Sequence, residues 1–155
     1  EKAYQCKKLS SINLGDYLVT LAQRLRGDEP VRGGMPDFLF EVEEVSVLLD
    51  TAIPCGIMVG ELVENAFHHA FVQGSRGNIG LVVGRCPDSR ISIEVWDDGK
   101  GFPLGFDPRG SRKLGLRTVI GICEEQLRGS IHFSERNPGL SVQLKFHNSY
   151  VPKRT

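Results

Sequence analysis

Apolar residues recur at three- and four-residue spacing through Leu14, Tyr17, Leu18, Leu21 and Leu25, which predicts an amphipathic helix. Asn13 stands just before this stripe and Asp16 three residues after it, so the helix is placed over about residues 13 to 26 with Asn13 as its N-cap. Gly27, Pro30 and Gly33-Gly34 end it. Phe38, Phe40 and Val42 then fall at the two-residue spacing of a strand, and a second short extended piece follows from 45 to 49. The helical period returns from Thr51 to about Phe71, with Asp50 as the cap, Pro54 tolerated in the first turn, and Ile53, Ile57, Gly60, Val63 and Ala66 as the inward face. Two strands, 79 to 84 and 90 to 96, are joined by a Pro87-Asp88-Ser89 turn, and Ile91, Ile93 and Val95 share one face of the second. A glycine- and proline-rich loop covers 98 to 113. A third helix runs from about Leu114 to Leu127 and stops at Gly129, and strands at 130 to 134 and 140 to 146 close the chain as a hairpin around Asn137-Pro138-Gly139. The sequence contains no internal repeat and no low-complexity tract. This order of elements predicts an α+β fold, a two-layer α/β sandwich in which helices cover one face of a mixed sheet.

Composition narrows the picture. The 155 residues suit one domain with one core. Nineteen basic and nineteen acidic residues cancel, so no whole-molecule field draws the chain to nucleic acid or to an anionic membrane. No apolar run approaches the ~20 residues of a membrane span, and the N-terminus lacks a signal-peptide profile. A cytoplasmic domain without direct membrane contact is expected. Cys6, Cys55, Cys86 and Cys123 form no C-x-x-C pair and read as small hydrophobes. The chain opens on Glu1, not Met, so a fragment with further sequence upstream is expected.

Three stretches carry candidate chemistry. In GELVENAFHHAF, residues 60 to 71, a helix of about 100° per residue places Glu61, Asn65 and His68 within an arc of about 60°, with Glu64 and His69 flanking them. That face suits a hydrated magnesium ion, which takes few protein oxygens and keeps water or phosphate elsewhere; it equally suits a solvated helix surface. In VWDDGKGFP, residues 95 to 103, a strand ends in two aspartates, and Gly99 and Gly101 admit a ligand close to the backbone. An aspartate fixed there can accept a hydrogen bond from an exocyclic amine of a purine, although Asp-Gly is also ordinary turn chemistry. In GSRKLGLRTV, residues 110 to 119, a basic loop with Arg112 and Lys113 enters a helix near Gly115, beside Arg109 and Arg117, as a phosphate site or a basic solvated loop would. Neither G-x-x-x-x-G-K-[ST] nor a dinucleotide fingerprint is present.

In order and spacing these stretches resemble the catalytic ATP-binding domain of sensor histidine kinases, within the Bergerat-fold (GHKL) superfamily that includes gyrase-type ATPases, Hsp90 and MutL-like proteins. ELVENAFHHAF resembles the N box, DDGKG the first glycine box and KLGLR a reduced second glycine box; IPCGIMVGELVENAFHHAF is most similar to the HisKA_2 subfamily, close to the HWE kinases. The likeness runs from about Tyr4 to Phe146. It implies binding of ATP and Mg²⁺, with Asn65 as the metal ligand, Asp97 on the adenine amine, Gly99 and Gly101 lining the base pocket, and His68 and His69 in the nucleotide site. It also implies an ATP lid over 102 to 114, containing Arg112, Lys113 and Leu114, and a helix opened beneath the phosphates by Gly115 and Leu116, with Arg117 following. Glu61 takes the place of the catalytic base of gyrase-type ATPases and anti-sigma serine kinases. Residues 1 to 12 correspond to a link from a dimerisation domain, 13 to 148 to the ATP-binding domain, and 149 to 155 to a tail. The implied partners are the dimerisation and phosphoacceptor domain of the same protein and a response regulator, with a monomeric fragment and a homodimeric parent. Two departures stand out: the frequent N-box lysine is His68, and the Trp-x-Glu element of HWE kinases is missing because Trp96 runs directly into Asp97 and Asp98. A self-contained anti-sigma-type serine kinase and a degenerate partner-binding domain are the alternative readings.

Overall fold

The computed structural model describes residues 11 to 27, 35 to 71, 76 to 111 and 114 to 150, the side chain of Leu114 aside. Its elements are β1 (Ser11–Asn13), α1 (Leu14–Arg26), β2 (Asp37–Val42), β3 (Ser46–Leu48), α2 (Leu49–Asn65), β4 (Asn78–Arg85), β5 (Arg90–Asp97), α3 (Leu114–Gly121), β6 (Ser130–Glu135) and β7 (Leu140–His147). A π-helical turn, Ala66–Ala70, extends α2, and a second, Ile122–Gln126, extends α3.

Five strands form one sheet in the order β2-β4-β5-β7-β6. β2 runs parallel to β4 and the other neighbours are antiparallel, so the sheet is mixed, as expected. Strand alternation decides its faces. Ile91, Ile93 and Val95 of β5 are buried while Ser92, Glu94 and Trp96 are half-buried on the other side. The inward side chains of β4, β5 and β7 pack on Leu14 and Leu18 of α1, Met58 and Val59 of α2, and Leu116 and Val119 of α3. Each such side chain contributes about 1.5–3 kcal/mol by leaving water. Two of the cysteines behave as small hydrophobes: Cys55 and Cys123 are free and buried, and burial pushes their thiols up to about 12 and about 11; Cys86 is half-buried and Cys6 lies outside the described residues.

Asn13 caps α1 as the sequence predicts, its side chain accepting from the Asp16 amide at 3.2 Å. The start of α2 differs. Leu48 holds the cap position without a side-chain bond, Asp50 lies in the first turn, and Pro54 sits inside the helix, beyond that turn. An acid in the first turn still favours the helix dipole, but Pro54 forgoes one backbone bond. The inward face is also corrected, since Ile53 and Ile57 are 48% and 45% exposed. α2 packs between α1 and α3, so its buried arc is broad and centres on Ala52, Cys55, Val59, Leu62, Val63 and Ala66. Both arcs are apolar, and periodicity alone does not choose between them.

Candidate functional site

A cavity of about 160 Å³ opens where the end of α2 and its π turn face the ends of β5 and β7, the loop after β5 and the start of α3. Its polar lining consists of Asn65, His69, Asp97 and Lys100; Ala66, Val95, Phe102, Leu116, Leu140 and Val142 are among its apolar walls.

Asp97 ends β5, where the alternation that buries Ile93 and Val95 also turns its carboxylate inward, leaving it 6% exposed. Its Oδ1 accepts from the Gly99 amide at 3.0 Å. Burial raises its pKa above the usual carboxylate range, and the neighbouring Asp98 charge adds to the shift. Asp98 points away from this work and accepts from the backbone and side-chain nitrogens of Asn78 at 2.6 and 2.9 Å, tying the start of β4 to the end of β5.

The glycines permit close backbone packing. A side chain on Gly99 would run into the Ala70 carbonyl, and that same carbonyl accepts from the Lys100 amide at 2.9 Å. The loop after β5 is thereby fastened to the π turn. Behind the pocket, Gly139 (φ +112°) presses on the Asp97 carbonyl, where a Cβ would collide. At the other end, a Cβ on Gly115 would lie 2.6 Å from Glu61 Oε2 and 3.9 Å from Asn65 Oδ1, so the start of α3 abuts both side chains.

The candidate residues therefore separate into groups. Asn65, His69, Asp97, Gly101 and Leu116 line the cavity. Gly99, Glu61 and Gly115 do not line it: Gly99 packs on the carbonyl of the lining residue Ala70, and Glu61 and Gly115 meet next to Asn65 and Leu116, which do line it. His68 and Arg117 are exposed and do not line it. Leu114 opens α3, and Arg112 and Lys113 lie outside the described residues. Arg109, which the sequence offers to phosphate, is engaged elsewhere: its guanidinium forms a two-bond pair with Glu124 at 3.0 and 2.6 Å. Sequence reasoning missed Lys100, Leu140 and the buttress at Gly139. The Asn137-Pro138-Gly139 turn was a visible signal for the last, but it reads only as a hairpin.

Among the described residues no cluster of three His, Cys, Asp or Glu side chains could hold a metal. One amide oxygen, Asn65 Oδ1, with the Glu61 carboxylate near it fits an ion that keeps most of its water.

Residues 51–149 match the family described as histidine kinase-, DNA gyrase B-, and HSP90-like ATPase. The sensor histidine kinase PdtaS of Mycobacterium tuberculosis is 31% identical over 121 residues, 76% of this chain and 23% of PdtaS. Blue-light-activated histidine kinase 2 of Erythrobacter litoralis is 31% identical over 108 residues, 70% of this chain and 31% of that protein. The chain thus spans less than a third of these relatives. Among solved structures, the histidine kinase domain of the Erythrobacter litoralis EL346 blue-light activated histidine kinase superposes with a TM-score of 0.77 at 27% identity, over 89% of this chain and 62% of that one. With a family match across most of its length and the same sheet-and-helix architecture, the chain belongs to the histidine kinase-, DNA gyrase B- and HSP90-like ATPase family.

Proposed function

We propose that this chain is the catalytic ATP-binding domain of a sensor histidine kinase, which holds Mg-ATP in the cavity and presents the γ-phosphate to a histidine of a dimerisation domain outside these 155 residues. The supporting observation is that Asp97 and Asn65 line one cavity, with Glu61 and Gly115 close together beside Asn65. Asp97 accepts the hydrogen bond of the adenine amine, while Gly99 and Gly101 keep side chains away from the base. Asn65 holds Mg²⁺, which supplies charge neutralisation on the phosphates. His69 and Lys100 add donors at the rim, and the first amides of α3, at Gly115 and Leu116, favour phosphate oxygens. Arg112 and Lys113 contribute charge from the lid. Glu61 accepts a proton from, or polarises, the incoming imidazole. Transfer rests on positioning and charge neutralisation. Downstream, the phosphoryl group passes to a response regulator. We place the domain in the cytoplasm and the parent protein in a homodimer.

Calorimetry tests the base site. Asp97→Asn sets an amide against the adenine amine and removes a charge-assisted bond of about 1.5–3 kcal/mol, which lowers ATP affinity roughly ten- to a hundredfold. Unchanged affinity in that variant overturns the assignment. Asn65→Ala should leave adenosine binding intact but abolish the dependence of ATP affinity on magnesium; equal magnesium dependence in variant and parent removes Asn65 as the ligand.

A further inference from the structure

β2 is an edge of the sheet, with β4 as its single neighbour among the described strands. The Asp37 amide donates to the Gly77 carbonyl at 2.9 Å and the Glu43 amide to the Val83 carbonyl at 2.8 Å. With Phe38 opposite Ile79 and Val42 opposite Val83, residues 37, 39, 41 and 43 therefore turn their N–H and C=O groups to β4, and Phe38, Phe40 and Val42 turn theirs away from the sheet. The side chains alternate between faces. Phe38 and Phe40 pack on the core, so Leu39 and Glu41 lie on the face without helices, as does Glu43, whose carboxylate a Cβ on Gly84 would meet at 2.9 Å. Leu39 and Val42 are 48% and 38% exposed. An open edge of this kind is a template for another strand.

Charge decides which strand it accepts. Arg26 pairs with Asp37 at 3.3 Å, whereas Glu41, Glu43 and Glu44 are exposed and no ion pair among the described residues engages them. We propose that the outer edge of β2 takes up an extended basic segment of a partner protein as a sixth strand, its backbone paired with Phe38, Phe40 and Val42 and its Lys or Arg side chains facing Glu41 and Glu43. Strand alternation then sets the pattern of that segment, with cations at every second position and apolar side chains between them, on the side of the half-buried Phe38 and Phe40.

A second copy of the chain fits less well. Antiparallel two-fold pairing must match outward groups with outward groups, so Phe40 faces its own copy, or Phe38 faces Phe40, or Phe40 faces Val42. The first register sets Asp37 opposite Glu43, the second sets Asp37 opposite Glu41, and the third sets Glu41 opposite its own copy. Like charges directly opposite each other destabilise a strand pair. The acids that keep β2 from pairing with itself are thus the ones a cationic strand neutralises. β2 supplies no residue to the lining of the cavity, so the inference is independent of the kinase reading.

Backbone NMR of the full chain provides the test, with a capped Lys-Val-Lys-Val-Lys peptide and its capped Glu-Val-Glu-Val-Glu counterpart as probes. Without peptide, the Phe38 and Phe40 amides should exchange with solvent faster than those of Leu39 and Glu41, which are bonded to β4. The lysine peptide should bind saturably, shift the amides of Phe38, Phe40 and Val42 more than those of Leu39 and Glu41, and bind more weakly as salt rises. The glutamate peptide should not bind. Glu41→Lys combined with Glu43→Lys, both at exposed positions, should lower affinity for the lysine peptide about tenfold and admit the glutamate peptide. Slow exchange at Phe38 and Phe40 in the free chain, equal shifts at odd and even positions of β2, no saturable binding of the lysine peptide, or a peptide preference that the double variant leaves unchanged each overturn the proposal.

Discussion

Asp97 is a carboxylate set in an apolar wall, held by the Gly99 amide and facing Val95, Leu140 and Val142 around the cavity. Its surroundings make its charge a local cost to the empty protein, and in the proposed function it reads the base. Burial raises its folded pKa above the ordinary 3.8, so between 3.8 and that raised value the folded state binds more protons than the unfolded one. Stability is therefore lost as pH rises through this window. Asp97→Asn removes the charge while its side-chain oxygen can still accept from Gly99. The nucleotide-free variant should melt higher than the parent at pH 7, with the gap closing as pH falls toward 3.8; a gap that widens on acidification contradicts this. The Gly139 buttress gives a second expectation. At φ +112° and against the Asp97 carbonyl, Gly139→Ala should cost about 1–3 kcal/mol in denaturant unfolding and weaken ATP binding by displacing Asp97, although Gly139 does not line the cavity.

The elements around the site owe their placement to two π turns and a loop pinned at several points. Phe102 packs at a tilt on Phe106 with centroids 4.6 Å apart and reaches Phe133 of β6 at 6.2 Å; Asp107 caps the Arg109 amide at 3.0 Å; and Arg109 grips Glu124 in the turn after α3. Leu104 between them is fully exposed. The Arg109–Glu124 pair is solvent-exposed, so its worth is local and screened by salt. Glu124→Gln should leave the melting temperature nearly unchanged while speeding amide exchange at 107 to 111, and ATP analogue should slow exchange across 102 to 111 in the parent; unchanged exchange in both experiments refutes a latched lid.

The same elements divide what the sequence disclosed from what it hid. β4, β5, β6 and β7 were legible because alternation and turn residues agree, and the order of the three motifs located the cavity. The π turn after Asn65 was hidden, since Ala66 and Ala70 continue the apolar period. Its wider turn advances each residue by less than the α-helix's roughly 100°, so three steps no longer return His68 toward Asn65 while four still return His69. That is why His69, and not the residue aligned with the usual lysine, lines the cavity. The outer stripe of α2 was hidden for another reason: Ile53 and Ile57 are as apolar as the core positions beside them.

At the scale of the molecule, one sheet face carries the helices, and Asn65, His69, Asp97 and Lys100 gather at one end, where β5 and β7 finish and begin and α2 meets α3. In the proposed function the γ-phosphate end of the nucleotide lies toward the rim, beside Glu61 and the start of α3, where a second domain can approach. Near-attack placement of two reactants accounts for a large part of the rate of such transfers, and the proposed function puts the acceptor outside these 155 residues. The chain alone should therefore bind ATP yet take up no stable label from γ-labelled ATP. Adding a fragment that carries the dimerisation helices should yield label on that fragment that is lost in acid and kept in base, as a phosphorylated imidazole requires. Glu61→Ala should weaken this labelling without weakening ATP binding if Glu61 acts on the imidazole. Acid-stable label on a serine of a separate protein would instead assign the cavity to a serine kinase, and label on the chain's own His68 or His69 would refute the external acceptor.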